Sequence, residues 1–219
     1  MGQDEVKSEL GTQERLLEAA MDIFGRDGYE SATTRNIARE AGVNIAAIPY
    51  YFKGKEGLYR AVITHIVQMA ETQISDLVQA ISNLTYTGDR GKEQALATLV
   101  KMMEKIIDFM VGSSQGQRVS RIILREQMYP TTAYELIFKG FMEPVLNSVS
   151  TLIIVITEDP SRRTATLRAM AIIGQILAFR VARETVVRSL DLKGYDPDEM
   201  DEIRRIILEH TKNLLRSLM

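Results

Sequence analysis

Apolar residues recur at helical spacing along almost the whole chain, and its sequence carries no alternating strand pattern. Between Thr12 and Gly28 one apolar stripe comprises Leu16, Ala19, Ala20, Ile23 and Phe24. Thr12 is expected to cap this helix, and Gly28 is expected to end it. The pattern predicts an all-α protein.

Three more helices are expected next, over 34–41 after a Thr33 cap, over 44–52 after an Asn44 cap, and from Lys55 to about residue 84. Gly42 lets the chain reverse between the first two. Two short helices joined in this way are typical of a helix-turn-helix, whose second helix enters the major groove of DNA. The helix that starts at Thr12 supplies the apolar face that completes this unit.

Turn signals divide the rest of the chain into helical stretches at 92–111, 115–127, 131–157, 161–190 and 197–218. Asp159 and Asp196 each precede a proline and are expected to cap a helix. Pro144 should kink or divide the third stretch. The run LIIVI at 152–156 has strand propensity, but it has no partner strand, so a helix is predicted.

The predicted domain organisation has three parts. Residues 1–11 form a flexible leader, residues 12–60 form the helix-turn-helix domain, and residues 61–219 form a C-terminal helical bundle. The first clear break in the helical pattern is at 85–93. The boundary therefore lies inside the preceding long helix, which would couple the two domains mechanically.

Composition narrows the class of protein. The 219 residues are 45% hydrophobic, which is enough for a buried core. The chain has no Cys, and its two histidines, His65 and His210, are predicted to be surface or packing residues. No nucleophile elbow, P-loop or dinucleotide motif is present, so we predict no enzyme activity, no cofactor and no metal site.

Location and partners are constrained by charge and hydropathy. No continuous apolar run reaches the roughly 18 residues that cross a bilayer, and the N-terminus lacks a secretion signal, so a cytoplasmic protein without a membrane partner is expected. The net charge of −2 does not indicate a nucleic-acid binder by itself. Between Arg26 and Arg60, however, six basic residues outnumber four acidic ones. This local excess fits a small surface that faces phosphate.

The segment SATTRNIAREAGVNIAAIPYYFKGKEGLYRAVI, residues 31–63, resembles the DNA-binding domain of TetR-family transcriptional regulators. Its landmarks Thr-Thr, Ile-Ala, Ala-Gly-Val, Tyr-Phe and Lys-Glu-x-Leu stand in order without gaps. The segments at 120–137 and 173–187 resemble the CecR-like branch of the family. The resemblance implies a ligand-responsive regulator with a C-terminal effector-binding and dimerisation domain.

The resemblance also implies which residues contact DNA. The residues at the family's phosphate-contact positions are Thr33, Thr34, Tyr50 or Tyr51, and Lys55. Hydroxyl groups, a positive charge and the N–H groups at helix starts all bind phosphate. Base contacts match Arg35, Asn44, Ile45, Ala46 and Ala47. Alternatives remain open: Asn44 could be only a cap, Arg35 could be simply solvated, and Tyr51 and Phe52 could be core residues.

Pro49 departs from the family pattern, in which an aromatic residue commonly reaches a phosphate. With Asn44 as the cap, Pro49 would be the fifth helical residue, past the first turn. One backbone hydrogen bond would then be lost, and the carbonyl of Ile45 would tilt away. The sequence therefore predicts a slightly opened recognition helix and an altered site preference.

The effector site is less well defined. Met102, Met103 and Ile106 could line an adaptable apolar pocket or be ordinary core residues. Charged residues within apolar helices could pair structurally or contact the effector: Arg121, Arg125 and Glu126 in one helix, with Tyr129 nearby, and Arg180, Arg183 and Glu184 in another. Arg180 and Glu184, four residues apart, would share one face.

The last helices are expected to form a two-fold dimer that places two reading heads on successive major grooves. The apolar residues assigned to this interface include Ile172, Ile176, Phe179, Ile203, Ile206, Ile207, Leu214 and Leu215. The predicted function is a homodimeric repressor of double-stranded operator DNA, released by a small-molecule effector. The alternative is a helical protein-interaction adaptor with a vestigial DNA-binding module.

Overall fold

The structure is a computed structural model that describes the backbone of residues 3–83 and 88–219. Its α-helices are α1 Gln3–Ser31, α2 Thr34–Glu40, α3 Ala47–Phe52, α4 Lys55–Asn83, α5 Gly88–Ile107, α6 Ser114–Met128, α7 Tyr134–Ile137, α8 Glu143–Thr157, α9 Arg162–Val181, α10 Arg183–Ser189 and α11 Pro197–Arg216. These two described ranges contain no strand. The prediction of an all-α fold is confirmed.

The chain forms two compact units. The head unit comprises the residues up to Met69 together with Arg118–Phe138, and the bundle unit comprises Ala70–Gln117 and Lys139–Met219. Residues of α4 and of α6 belong to both units. The functional boundary near residue 60 stays a prediction, but the segment Arg118–Phe138 was not expected beside the helix-turn-helix.

In the head unit, α1 packs on α2 and α3, and α2 packs on α3. The buried apolar side chains that join them include Leu16, Phe24, Ile37 and Ile48. The assignment of Thr12 as a helix cap is wrong, because α1 begins at Gln3 and makes residues 3–11 helical. Three helices thus close around one small core, as the sequence predicts.

Gly28 interrupts α1 with a left-handed φ of 82°. A Cβ at this position would also lie 2.9 Å from Nη1 of Arg125. Arg125 donates from Nε to the carbonyl of Gly25, at 3.2 Å, and from Nη2 to the carbonyl of Arg26, at 2.6 Å. The positive φ therefore favours glycine at position 28, and Arg125 occupies the space beside it.

The bundle unit is built around α5 and α8, with α9 packed on α8 and α11 packed on α5. Leu152, Ile153 and Ile156 are completely buried in α8, so the run LIIVI is helical as predicted. Several residues assigned to a dimer interface are instead buried within the single protomer. They are Ile172, Ile176, Ile203, Ile207 and Leu215, and that part of the interface assignment is wrong.

Proline or a capping side chain marks the starts of α8, α9 and α11. A π-helical turn at Phe138–Met142 precedes α8, in which Pro144 is the second residue, so the predicted division is confirmed. Asp196 caps α11 in a reciprocal arrangement with Glu199, also as predicted. Asp159 is not the cap of α9. That role belongs to Ser161, whose N–H donates to the Asp159 carboxylate at 3.0 Å.

Two helical stretches, Tyr134–Thr157 and Arg162–Val181, are long and apolar enough to span a bilayer by length and composition alone. Charged residues interrupt both stretches, which explains why a search for continuous apolar runs misses them. Their most apolar windows are 39% and 22% buried, respectively. A core helix of a globular protein meets the same length and composition test, so these stretches are weak evidence for a membrane.

Candidate nucleic-acid interface

The reading segment, residues 44–47, follows a tight reversal after α2. Thr33 caps α2 by accepting the N–H of Asn36 at 3.2 Å, as predicted. Gly42 then adopts a φ of 63°, and Val43 donates its N–H to the carbonyl of Ala38 at 3.0 Å. Residues 44–46 are exposed, so this reversal presents their side chains on the surface of the head unit.

Asn44 does not cap an α-helix. Its carboxamide oxygen accepts the N–H of Ala46 at 2.9 Å, and its carbonyl accepts the N–H of Ala47 at 3.0 Å. The α-helical part of the recognition element begins only at Ala47, after this tighter first turn. Bidentate recognition of adenine needs both the oxygen and the nitrogen of the carboxamide. The engaged oxygen therefore favours the local turn role of Asn44 over base reading.

The prediction that Pro49 opens the recognition helix is wrong. Pro49 is the third residue of α3, where a backbone N–H has no intrahelical acceptor in any case. The carbonyl of Ile45 is satisfied by the N–H of Ile48 at 3.2 Å, and the carbonyl of Pro49 accepts the N–H of Lys53 at 3.1 Å. Proline is compatible with this first turn because no hydrogen bond is lost.

The paired tyrosines differ in exposure. Tyr50 is 74% exposed, whereas Tyr51 and Phe52 are partly buried. The ring of Tyr51 meets that of Tyr50 edge to face at 4.7 Å and that of Phe52 at 6.4 Å. Tyr50 therefore has the hydroxyl that can reach outward, while Tyr51 supports it from the side.

Positive side chains beside the reading segment also differ in their surroundings. Arg35 is exposed and has no partner among the residues that the structure describes. Lys55 is engaged: its Nζ donates to the carbonyl of Glu30 at 3.1 Å and lies 4.6 Å from the centre of the Tyr29 ring. Lys53 is exposed, is likewise unpaired within the described ranges, and has a left-handed φ of 61°.

Arg15 is a cation that the sequence pattern did not single out. A cleft of about 480 Å³ brings it together with Thr12, Val43, Asn44, Ala46, Ala47, Tyr50 and Tyr51. Arg15 lies on the exposed side of α1, next to the buried Leu16. Arg15 lies at the reading segment because α1 packs against α3. No local sequence motif predicts that the two are close.

Comparison with known proteins decides the family. The model described as bacterial regulatory proteins, tetR family, matches residues 16–62. The model for the C-terminal domain of the HTH-type transcriptional dual regulator CecR matches residues 95–218. The full-length CecR of Shigella flexneri is 30% identical over 207 residues, which cover 94% of this chain and 92% of that protein.

The chain belongs to the TetR family of transcriptional regulators, in its CecR-like branch. It is a DNA-binding regulator, and the adaptor alternative is not favoured.

Solved structures show the same TetR-family fold. The structure of AibR in complex with isovaleryl coenzyme A and operator DNA has a TM-score of 0.64, is 16% identical, and covers 90% of this chain and 96% of its own. FadR from Bacillus subtilis in complex with stearoyl-CoA has a TM-score of 0.60, is 20% identical, and covers the same shares. These likenesses concern the fold.

In this TetR-family chain, the residues predicted for an effector pocket belong to both units. Met102, Met103 and Ile106 are buried in α5 of the bundle unit. In the head unit, Arg121 is exposed, Tyr129 is 72% exposed, and Arg125 holds the carbonyls at the end of α1. The three head-unit residues do not converge on an enclosed site.

The expected pairing of Arg180 with Glu184 by helical spacing does not apply, since α9 ends between them at Val181. Arg180 donates to the carbonyl of Gln117 at 3.0 Å. The carboxylate of Glu184 contacts Arg183 at 3.3 Å and Arg188 at 4.0 Å. Arg180 therefore binds the backbone of α6, and Glu184 contacts arginines of its own helix, α10.

The segment Arg118–Phe138 is joined to α4 by a buried hydrogen bond and to α1 by partly buried and exposed polar contacts. The Glu126 carboxylate accepts the Tyr59 hydroxyl at 2.5 Å and the N–H and hydroxyl of Thr131 at 3.0 and 2.9 Å. Burial, together with the hydrogen bond to Glu126 and its negative charge, raises the pKa of the Tyr59 phenol well above its usual value.

At the other end of this segment, Arg118 pairs with Glu18 at 2.6 Å and with Asp22 at 2.5 Å on α1. Its Nη2 also donates to the backbone carbonyl of Glu18 at 2.9 Å. With Arg125 on the carbonyls of Gly25 and Arg26, two arginines fix the segment along α1. The sequence left Arg125 open between a structural role and an effector contact, and its hydrogen bonds to α1 favour the structural role; Arg118 was not singled out from the sequence.

Proposed function

We propose that this chain is a cytoplasmic, homodimeric repressor that binds a two-half-site operator and leaves it when a small molecule binds the bundle unit. The observation that carries the proposal is the exposed reading segment with unpaired cations beside it. The proposed functional division assigns residues 12–60 to DNA binding and residues 61–219 to sensing and dimerisation.

The proposed DNA contacts divide by chemistry. Thr33, Thr34 and Tyr50 contribute phosphate contacts through hydroxyls and the N–H groups at the start of α2, and Tyr51 supports Tyr50 from the side. Arg35 is the proposed base reader, because its guanidinium is unpaired in the described part of the chain and can bind guanine bidentately.

Small apolar residues complete the proposed reading edge. Ala46 and Ala47 admit the DNA backbone closely, and Ile45, 47% exposed, offers an apolar contact to thymine methyls. Asn44 stabilises the first turn of this edge by accepting the N–H of Ala46, and the restricted φ of Pro49 favours the helical backbone of α3. Lys55 is engaged with Glu30, so we assign the phosphate-binding charge after α3 to Lys53.

A second copy of the chain is the proposed occupant of the outward face of α9. The α9 stripe, defined as Leu167, Ala171, Gly174, Ala178 and Val181, is exposed and recurs at alternating steps of four and three residues. This is the repeat of a helix packed along another helix. Nothing lies within 4 Å of a Cβ built on Gly174, so packing inside the protomer does not require a glycine there.

The sensing step is proposed to act through the segment Arg118–Phe138. Met102, Met103 and Ile106 remain the proposed apolar lining of an effector pocket in the bundle unit, and Arg180 and Glu184 its proposed polar end. AibR was solved in complex with isovaleryl coenzyme A and FadR in complex with stearoyl-CoA, so the effector class that we propose for this chain is a molecule with an apolar acyl chain and a charged end. An effector shifts DNA binding only as far as its affinities for the two states differ.

The deciding experiment is selection of bound duplexes from a fragmented genomic library, followed by titration of the best site at several salt concentrations. We expect an enriched site with two half-sites one helical turn, or a multiple of it, apart. Arg35→Ala should weaken binding at particular base pairs by about 1–3 kcal/mol per contact.

Arg90→Ala is the matched control, since Arg90 is an exposed arginine of the bundle unit with no partner among the described residues. It should leave both affinity and base preference unchanged. If no duplex is enriched and Arg35→Ala has no effect, the repressor proposal is wrong and the interaction-adaptor alternative returns.

A further inference from the structure

Arg15 stands between two clefts of opposite character on the head unit. The first holds the reading residues Asn44, Ala46 and Ala47, and none of the described residues that line it carries a carboxylate. The second is lined by the acidic side chains of Glu14, Glu18, Asp22 and Glu40, together with Arg118. Arg15 lines both clefts and so marks the edge where the reading surface meets an acidic strip.

The guanidinium of Arg15 has no partner within the described part of the chain. It makes no hydrogen bond or ion pair with any described residue, although four carboxylates share its second cleft. Two of those carboxylates, Glu18 and Asp22, are already paired with Arg118 at 2.6 and 2.5 Å. Pairing with Arg118 reduces the competition for Arg15 and the repulsion that a phosphate would meet there.

The first cleft has the chemistry of a phosphate site. Its lining offers hydroxyls at Thr12 and Tyr50, and the small side chains of Ala46 and Ala47 allow close approach. A guanidinium binds a phosphate through two parallel N–H donors, which also fixes its orientation. Among the described residues that line this cleft, Arg15 is the one with a positive charge.

We propose that Arg15 binds a DNA phosphate and positions the recognition helix in the groove, as a contact from α1 that lies outside the helix-turn-helix motif. The inference rests on the proposed operator binding. It assigns affinity and register to Arg15, whereas sequence choice stays with the reading segment. The acidic strip on the far side of Arg15 then limits how far the DNA extends over α1.

The test compares Arg15→Gln and Arg15→Lys with the unchanged protein on the selected operator and on a set of its base-pair variants. Arg15→Gln should weaken binding about tenfold, equally on every duplex, because all phosphates are alike. The slope of log K against log salt should become shallower by about 0.9 for each lost contact. Arg15→Lys should recover most of the slope, since it keeps the charge.

Arg90→Gln serves as the control for removal of an exposed arginine, and thermal unfolding checks that every variant remains folded. If Arg15→Gln binds with unchanged affinity and salt slope while the unchanged protein still binds its operator, this inference is wrong and the proposed function stands. A loss confined to particular base pairs would also overturn it, because Arg15 would then read a base. If the unchanged protein selects no duplex, the proposed function itself fails.

Discussion

Lys53 and Lys55 carry the same charge two residues apart, but their surroundings assign them different roles. The ammonium of Lys55 binds the Glu30 carbonyl and lies over the Tyr29 ring, so it ties the start of α4 to the end of α1. Lys53 holds a left-handed backbone, which costs a non-glycine residue about 1 kcal/mol. Conformational strain of this kind is concentrated at functional positions.

Lys53→Asn separates the charge of Lys53 from its backbone conformation. Asparagine tolerates left-handed φ values, so the thermal midpoint should stay the same or rise slightly. Operator affinity should fall uniformly across base-pair variants, and the salt slope should become shallower by about 0.9 per contact. Salt-dependent titration together with thermal unfolding measures both effects.

Lys55→Met is the paired variant. It keeps the apolar stem but removes the hydrogen bond and the cation over Tyr29, so we expect a loss of about 1 kcal/mol in the free energy of unfolding. Its salt slope should remain close to that of the unchanged protein. A normal slope for Lys53→Asn beside a shallow slope for Lys55→Met would reverse this assignment.

At the scale of elements, the C-terminal part of α6 belongs to the head unit by its contacts. Arg118 and Arg125 bind α1, and Glu126 joins Tyr59 of α4 to the turn at Thr131. The ring of Tyr59 also packs against Phe24 at 4.8 Å and Tyr29 at 4.9 Å. A displacement of this segment would therefore disturb both helices that support the reading segment.

Tyr59 gives this contact a pH signature. Its folded-state pKa is raised, so the folded state holds the phenol proton more tightly than the unfolded state does. Stability from this group is complete below the ordinary tyrosine pKa of about 10 and declines as the pH rises above it. Urea unfolding from pH 8 to pH 11 should therefore show a steeper loss of stability for the unchanged protein than for Tyr59→Phe.

The Tyr59→Phe variant should also be less stable at pH 8, because the buried Glu126 carboxylate loses one donor. Tyr50→Phe is the control, since its ring is 74% exposed. Parallel pH profiles for the unchanged protein and Tyr59→Phe would contradict the proposed proton linkage.

At the scale of the whole molecule, the exposed α9 stripe is the surface that we propose as the contact with a second copy of the chain. Glycine inside a helix is about 1 kcal/mol less favourable than alanine, and no atom of the described residues lies within 4 Å of a Cβ built on Gly174. Because glycine brings no benefit inside one copy, we attribute it to close approach of a second α9.

Gly174→Leu should convert a dimer to monomers, measured by analytical ultracentrifugation, and should weaken operator binding because two half-sites are then read separately. Lys101→Leu, an exposed position on α5, controls for adding a leucine to the surface. Thermal unfolding should show that the Gly174→Leu protomer remains folded. An unchanged dimer would exclude the α9 stripe as the interface.

How far the sequence predicts the site depends on the range of the interactions. Local signals located α2, the Gly42 reversal, the start of α4 and the Asp196 cap, because each depends on a few neighbouring residues. The Pro49 prediction failed because it assumed that Asn44 capped the α-helix, whereas an intervening tight turn moves the helix start to Ala47. That shift places Pro49 in the harmless first turn.

The sequence by itself determined the all-α fold, the helix-turn-helix and the family, because helical periodicity and a continuous motif are properties of neighbours along the chain. The tertiary structure decided which lysine and arginine side chains have a partner among the described residues. It engaged Lys55 and Arg125 with backbone carbonyls, left Lys53 exposed, and brought Arg15 to the reading segment. The availability of a cation depends on the carbonyls, carboxylates and rings that packing brings near it, and these can lie about a hundred residues away in sequence.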